Sequence, residues 1–315
     1  MTSAVPPHLE LGQAVNEGLT AVEVAMREVT ASQVDVLRDA SRHILSAGGK
    51  RIRPRLLLLS YLALGGADMP HAAKPAAAVE LMHTASVVHD DINDHGMLRR
   101  GKPAVNAIWG RTFALLTGDF LFTAVYELMA PYGELNIDLA QAATALVEGE
   151  TLQASAVKNK HFNHEVYGRI IALKTAALFR AASAIGAKLA GAGQQEISVL
   201  ADFGFNLGLA FQIVDDILDL VADEAILGKT SGIDIVQGRG VAVALGEGNS
   251  NGNSPPSDPL DTIKRKMLEG DTVDKARSRA DLLVHSAIAS LDSLPHTPAK
   301  DALIELAQQV ISREN

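Results

Sequence analysis

Two clusters of aspartates inside apolar helical stretches constrain this chain more than any other feature of its sequence. The first lies in VVHDDIND at 87 to 94 and the second in AFQIVDDILDL at 210 to 220. Their acids are Asp90, Asp91, Asp94, Asp215, Asp216 and Asp219. Buried carboxylates are costly unless they are paired or bind a metal. One such motif is most often a solvated acidic face, but two copies among apolar neighbours favour a shared site.

The spacing of the acids predicts how a shared site would be built. Residues i and i+4 of a helix lie on one face, so Asp90 projects with Asp94 and Asp215 with Asp219. If the two helices face each other, the carboxylates converge and repel one another unless cations neutralise them. Carboxylate oxygens combined with waters and phosphates favour Mg²⁺. The sequence therefore predicts a magnesium site with a phosphate-bearing ligand.

Most of the chain has apolar residues at the spacing of three and four that is typical of amphipathic helices. The stretches with this pattern are 9–29, 33–47, 54–64, 72–95, 111–130, 137–157, 165–190, 194–222, 259–269, 272–292 and 298–313. Strand alternation is weak, and VAVAL at 241–245 is the nearest candidate. We therefore expect one all-α domain over 1–315, a helical bundle with a mobile polar loop at about 247–259.

Composition and charge argue against several classes of function. The 315 residues include no cysteine, which excludes disulfides and thiolate metal sites and fits the cytoplasm. The net charge is −9 and no long basic stripe occurs, so nucleic acid is not an expected partner. The N-terminal residues lack the pattern of a signal peptide. The longest apolar runs, such as LLLLSYLALGGA at 56–67, are shorter than the about 20 residues of a membrane-spanning helix.

Local basic residues could hold the oxygens of a diphosphate. The candidates are Lys50, Arg51, Arg53, Arg99, Arg100, Lys174 and Lys229. Each alone is most often a surface charge, except Lys174, which interrupts the apolar stretch IIALKTAALF. His83 precedes Asp90 by two helical turns and lies on roughly the same face, although a lone helical histidine is more often structural.

Six sequence segments occur in a fixed order that resembles one family. They are GGKRIRP, LMHTASVVHDDIND, LRRGKP, a KT pair within a helix, FQIVDDILD and LGK, all between about 43 and 240. This chain resembles the trans-isoprenyl diphosphate synthases, also called polyprenyl synthetases. The resemblance implies an all-α bundle of the isoprenoid synthase type, with a central apolar cavity and usually assembled as a homodimer. It also implies head-to-tail condensation of isopentenyl diphosphate with an allylic diphosphate.

The resemblance also assigns roles to individual residues. The aspartates of both clusters would hold about three Mg²⁺ ions against the allylic diphosphate, with Asp216 either sharing this role or supporting it. The allylic site would be completed by Arg99, Lys174, Thr175, Gln212 and Lys229. Isopentenyl diphosphate would be bound by Lys50, Arg53, His83 and Arg100. The role of Arg51, which also matches the motif, stays open.

Small residues before the first cluster bear on the length of the product. Ala85 and Ser86 stand five and four positions before Asp90, where a bulky aromatic residue in this family stops elongation. Met82 and Leu81 stand further back along the same helix and are moderate in size. We therefore expect an all-trans product longer than C20, typical of a quinone side chain and handed to a membrane. The alternative is a C15 to C20 farnesyl or geranylgeranyl diphosphate synthase.

Three alternative functions remain to be considered, and two segments differ from the family pattern. A class I terpene cyclase would pair one aspartate motif with a different second motif, and a membrane-embedded prenyltransferase would need spanning segments. A non-catalytic subunit of a heteromeric synthase usually lacks aspartates that are present here. The family's usual segment after the second motif is replaced by QGRGVAVAL at 237–245, and the loop at 247–259 is also atypical.

Overall fold

The computed structural model describes residues 7–159, 163–221 and 272–312, and side chains within 10–159, 163–218 and 273–312. These residues form the predicted all-α bundle. Its helices are α1 (Pro7–Val29), α2 (Asp35–Ser46), α3 (Ile52–Ala63), α4 (Met69–Asn93), α5 (Val105–Met129), α6 (Leu135–Lys158), α7 (His164–Ile171), α8 (Ala177–Leu189), α9 (Gln194–Val221), α10 (Thr272–Ser290) and α11 (Pro298–Ile311). The predicted loop at 247–259, the helix at 259–269 and the segment at 237–245 lie outside the described residues.

Capping side chains fix where two of these helices begin. Thr297 caps α11 as predicted, because its hydroxyl oxygen accepts a hydrogen bond from the backbone N–H of Lys300 at 3.2 Å. Asp68 caps α4 by accepting from the backbone N–H of His71 at 3.0 Å. The Asp68 cap starts α4 at Met69, three residues before the predicted start at 72.

The two helices that carry the aspartate clusters are joined through the middle of the bundle. α4 packs against α1, α3 and α5, and α9 packs against α8 and α10. Between them lies α3, in which Leu56, Leu57 and Leu58 are fully buried. α3 also packs on α8, and α8 contacts α4 as well as α9. Each aspartate cluster therefore stands at the C-terminal end of a helix that is anchored in the core.

Two of the predicted helices contain a break in regular α-helical geometry. Within α5, Gly110 has φ 81° and ψ 166°, so the predicted start at 111 corresponds to the second part of this helix. The stretch predicted at 165–190 is α7 and α8 joined by a π-helical turn, Ala172–Ala176. In a π-helical turn each backbone hydrogen bond spans five residues instead of the four of an α-helix, and such turns are frequent at functional sites.

The RRGKP segment, expected to be a loop, forms a small antiparallel hairpin. Its strands are β1 (Leu98–Arg99) and β2 (Lys102–Pro103). The two residues between them, Arg100 and Gly101, have φ values of 51° and 73°. Positive φ at both central positions is typical of a type I′ turn. Strands of two residues are too short to show the alternation of apolar and polar residues by which a strand is predicted from sequence.

Three helical stretches are long and apolar enough to cross a membrane, judged by length and composition alone. They are Val105–Tyr132, His164–Leu189 and Gln194–Leu218. The expectation that no stretch reaches this length is therefore wrong, because isolated polar residues interrupt the runs without removing their apolar character. In the most apolar windows of these stretches 44%, 72% and 50% of the residues, respectively, are buried inside the bundle. Much of this apolar surface thus packs against other helices.

Candidate active site

The π-helical turn lies between the two helices that carry the aspartate clusters. Lys174 Nζ is 3.2 Å from Oδ2 of Asp90 on α4 and 2.7 Å from Oε1 of Glu150 on α6. The next residue, Thr175, donates a hydrogen bond from its hydroxyl to Oε1 of Gln212 on α9 at 2.8 Å. Two adjacent residues of one turn therefore connect the helix of the first aspartate cluster to the helix of the second.

The charge of Lys174 is maintained by its two acidic neighbours. Burial alone would lower the pKa of Lys174, but the negative charges of Asp90 and Glu150 outweigh this and raise it above its ordinary value. Burial, and then the charge of Asp90, raises the pKa of Glu150 to about 7. The ammonium group stays protonated at neutral pH, and one cation is shared between two carboxyl groups.

In the first cluster, the buried acid is paired and its neighbours are partly exposed. Arg99 Nη2 lies 2.6 Å from Oδ1 of Asp91, whose side chain is 4% exposed. Burial raises the pKa of Asp91, and Arg99 opposes that shift. Asp90 and Asp94 are both partly exposed. Asp91 is therefore already paired within the protein, while the two acids predicted to share a face border the solvent.

The second cluster shows the same division between a buried and a partly exposed acid. Both carboxylate oxygens of buried Asp216 accept hydrogen bonds, from the Tyr167 hydroxyl at 2.5 Å and from Nε2 of Gln212 at 2.8 Å. Gln212 in turn accepts from Thr175, so a continuous polar chain crosses the bundle from α7 to α9. Asp215 is partly exposed. The side chain of Asp219 lies outside those that the structure describes.

The exposed carboxylates supply only oxygen donors, which suits a hard divalent cation. Among the described side chains, no three acid or histidine residues already form a closed metal-binding group. Among the described acids of the two clusters, the partly exposed ones are Asp90, Asp94 and Asp215. Residues of this kind fit a metal that is completed by ligand oxygens rather than one enclosed by protein.

A basic pocket forms where the hairpin meets the segment before α3. A Cβ atom built on Gly49 would lie 2.7 Å from Nη1 of Arg100, so the guanidinium rests against glycine backbone. Arg53 is buried, and its guanidinium carbon lies 4.7 Å from the ring centre of Phe179. Its Nε has no hydrogen-bond partner in the part of the chain that the structure describes. A buried cation with an unmatched N–H favours an anionic ligand.

The ionisation of this pocket is set by burial and by mutual repulsion of its cations. Burial lowers the pKa of Arg53 to about 10, which still leaves it protonated at neutral pH. Burial, and then the charges of Arg53 and Arg100, lowers the pKa of His83 well below its ordinary range. His83 is therefore a neutral imidazole that can donate one hydrogen bond and accept another. Lys50 is exposed, and Lys229 lies outside the described residues.

Arg51, whose role the sequence left open, turns away from this pocket. It forms ion pairs with Glu23 on α1 at 2.6 Å and with Glu80 on α4 at 2.8 Å. Its backbone has φ 47°, a strained value for a residue other than glycine, immediately before α3. Arg51 therefore anchors the start of α3 to two neighbouring helices and so fixes the backbone that carries Arg53.

Sequence reasoning missed three residues that the structure brings to the site: Glu80, Glu150 and Tyr167. The signal that identified Lys174, a charge inside an apolar helix, also applies to Glu80 in AAAVELMH and to Glu150 in VEGETLQ. Tyr167 gave no such signal, because its partner Asp216 is 49 positions away.

An all-helical bundle whose acidic clusters lie beside lysine and arginine side chains is suited to binding a metal ion and phosphate groups. The family model for polyprenyl synthetase matches residues 34–255. The chain therefore belongs to the polyprenyl synthetase family, the trans-isoprenyl diphosphate synthases. It is a trans-prenyltransferase, and the family prediction made from the sequence is confirmed.

Known relatives have products of different lengths. The chain is 33% identical over 325 aligned positions to octaprenyl diphosphate synthase of Escherichia coli (strain K12), covering 97% of this chain and 98% of that protein. It is 45% identical over 213 positions, 65% of each chain, to a short chain isoprenyl diphosphate synthase of Methanothermobacter thermautotrophicus. The crystal structure of polyprenyl synthase from Caulobacter crescentus CB15, complexed with calcium and isoprenyl diphosphate, matches with TM-score 0.87 and 32% identity over 99% of both chains.

The two ion pairs of Arg51 should differ sharply in their contribution to stability. Glu80 is 4% exposed, so Glu80→Ala leaves a buried guanidinium without its main partner and should lower the free energy of unfolding by about 3–5 kcal/mol. Glu23 is 32% exposed, and Glu23→Ala should cost about 0–1 kcal/mol. Urea unfolding of both variants measures the difference, and equal small losses would contradict the anchoring role of Glu80.

Proposed function

We propose that this chain condenses isopentenyl diphosphate head-to-tail with an allylic diphosphate, using Mg²⁺ bound by its aspartates. The observation that carries the proposal is the π-helical turn, in which Lys174 contacts Asp90 and Thr175 contacts Gln212. This turn brings a cation and a hydroxyl group to the region bordered by both aspartate clusters. The basic pocket around Arg53 and Arg100 supplies a separate place for a second diphosphate.

The partly exposed acids are the proposed metal ligands. Asp90, Asp94 and Asp215 would hold Mg²⁺, with Asp219 joining them by resemblance to the family and about three ions expected in all. Asp91 and Asp216 would orient their neighbours, because Arg99, Tyr167 and Gln212 already occupy their oxygens. When bound, Mg²⁺ would neutralise the diphosphate and stabilise it as a leaving group.

On the allylic side, Lys174 is the proposed diphosphate-binding cation. An ammonium group has three N–H donors, and the two nearby carboxylates leave one for a diphosphate oxygen. Thr175 and Gln212 present oxygen dipoles that can stabilise positive charge on the allylic carbon. Arg99 and, by resemblance, Lys229 complete this side.

Isopentenyl diphosphate is proposed to bind in the basic pocket. The unmatched Nε–H of Arg53 and the guanidinium of Arg100 can each donate to a diphosphate oxygen. Lys50 adds a further charge, and neutral His83 can donate a hydrogen bond to the same group. Separate cationic pockets would keep the two diphosphates apart while their hydrocarbon parts meet.

The reaction requires bond breaking, bond formation and loss of one proton. The C–O bond between the allylic carbon and its diphosphate breaks, and the isopentenyl double bond supplies the electron pair for the new C–C bond. A proton then leaves the carbon next to the resulting cationic centre, with the released diphosphate as the proposed acceptor. Apolar residues around both aspartate clusters exclude water, which would otherwise trap the cation.

A condensation assay tests the function directly. The full chain, labelled isopentenyl diphosphate, allylic primers of several lengths and Mg²⁺ should give elongated product, and chelation of the metal should abolish it. Asp90→Asn and Asp215→Asn should lower kcat by about 10²–10³-fold, because each removes charge that stabilises the departing diphosphate. Asp202→Asn is the matched control, since Asp202 lies on α9 but is exposed and pairs with Arg180. Absence of product with every primer would instead support the non-catalytic subunit.

For the product we propose an all-trans chain longer than C20, because Ala85 and Ser86 are small. Both are buried, with Ala85 at 0% and Ser86 at 8% exposure, and Met82 behind them is 3% exposed. Because Ala85 is fully buried, a chain that grows past it has to displace neighbouring side chains. This close packing favours the second candidate, a C15 to C20 synthase, which the short chain relative also supports.

Replacing Ala85 tests whether the growing chain passes this point. Ala85→Phe should shorten the product, because the ring would block the path along α4 below Asp90. Ala289→Phe, at an exposed position of α10, is the control and should leave product length unchanged. Products are sized by chromatography after dephosphorylation. Identical lengths for wild type and Ala85→Phe would contradict a role of this position.

We also propose a homodimer formed through α5. Large apolar side chains that are 44% to 71% exposed occur on α5 and α6: Phe113, Leu115, Leu116, Tyr126, Ile137 and Val147. Exposed apolar surface of this extent favours a protein partner, and a second copy of the chain is the partner that the family resemblance implies.

Charge placed on the α5 surface should separate the subunits. Leu116→Glu would bury a carboxylate in the proposed interface and should give a monomer, as measured by analytical ultracentrifugation. Leu282→Glu changes an equally apolar residue that is 65% exposed on α10 and should leave the dimer intact. A wild-type monomer, or a Leu116→Glu variant that stays dimeric, would contradict this interface.

A further inference from the structure

Gly149 on α6 allows a close approach to the π-helical turn. A Cβ atom built on Gly149 would lie 2.7 Å from the backbone nitrogen of Lys174 and 3.1 Å from its Cα. It would also lie 3.1 Å from the Cβ atom of Leu173. Backbone atoms cannot yield as a flexible side chain can, so any larger residue at position 149 would displace the turn or the helix.

Glu150, the next residue, holds the side chain that this turn presents. Its Oε1 lies 2.7 Å from Lys174 Nζ, closer than Oδ2 of Asp90 at 3.2 Å. Lysine carries its charge on a flexible four-carbon stem, which adopts many conformations unless partners restrain it. Glu150 and Asp90 approach the ammonium from two different helices and so restrict where its remaining donor can point.

We propose that Gly149 and Glu150 are positioning residues for Lys174. Gly149 admits the π-helical turn against α6, and Glu150 orients the ammonium group toward the diphosphate of the allylic substrate. The inference rests on the proposed function for the identity of that substrate. It extends the proposed function by giving two α6 residues, outside the aspartate and basic motifs, a part in the site.

A purely structural role for the pair predicts different measurements. Loss of packing would lower stability and weaken both substrates alike. Simple removal of negative charge near an anion would tighten diphosphate binding. A positioning role instead predicts weaker binding of the allylic diphosphate, while the basic pocket for isopentenyl diphosphate stays unaffected.

The glycine is tested with a matched pair of substitutions. Gly149→Ala should weaken binding of inorganic pyrophosphate with Mg²⁺ by about tenfold in calorimetric titration, because the displaced turn misplaces Lys174. Gly168→Ala lies in α7, one turn before the π-helical turn, and its added Cβ meets nothing within 4 Å. Gly168→Ala should bind pyrophosphate as the wild type does. Equal affinities for the two alanine variants would overturn the role of Gly149.

Two substitutions test Glu150: alanine removes both side-chain oxygens, and glutamine keeps one of them. Glu150→Ala should raise KM for the allylic diphosphate about tenfold and lower kcat, with KM for isopentenyl diphosphate within about twofold of wild type. Glu150→Gln keeps an oxygen close to the ammonium and should recover part of the loss. An unchanged or lower allylic KM in Glu150→Ala, or equal changes for both substrates, would overturn the inference even if Gly149→Ala fails to fold.

The two kinds of measurement separate this inference from the proposed function. If the wild type condenses the substrates but the α6 variants match it, the inference is wrong and the function stands. If the wild type gives no condensation but Gly149→Ala still binds pyrophosphate more weakly than Gly168→Ala, the function is wrong and the positioning role stands.

Discussion

The contact of one ammonium group with two carboxylates, Lys174 between Asp90 and Glu150, is the interaction on which the rest of the site depends. Charges inside an apolar bundle must be compensated, and here two of the compensating cations join separate helices. Lys174 joins the π-helical turn to α4 and α6, while Arg51 joins the start of α3 to α1 and α4. The ion pairs that compensate these buried charges therefore also hold together the helices that carry the site.

Burial separates the described acids of the two clusters into two groups. Asp91 and Asp216 are buried and already have partners: Arg99 pairs with Asp91, and Tyr167 and Gln212 donate hydrogen bonds to Asp216. We propose that these two acids orient their neighbours. Their partly exposed neighbours face the region where diphosphate and metal are proposed to bind. A buried carboxylate with fixed partners is a rigid support, and this rigidity holds the partly exposed acids in place for a ligand that arrives with its own charges.

Sequence reasoning recovered what local rules determine. Helical periodicity located most of the described helices within a few residues, but it placed the start of α5 at 111 and predicted α7 and α8 as one helix. It failed where distant segments decide the structure. The π-helical turn packs closely against Gly149, the Tyr167–Asp216 bond spans 49 positions, and the Arg51–Glu80 ion pair joins the segment before α3 to α4. Periodicity carries none of this information.

In the proposed site, protein cations neutralise the acids until a metal–diphosphate complex replaces them. Mg²⁺ alone must then compete with Lys174, whereas pyrophosphate gives this lysine a new partner, so the two ligands should bind cooperatively. The most direct test is a calorimetric titration of Mg²⁺ into the full chain with and without inorganic pyrophosphate. We expect pyrophosphate to raise the affinity for Mg²⁺ by at least about tenfold, beyond the association of the two in solution. Equal affinity under both conditions would contradict it.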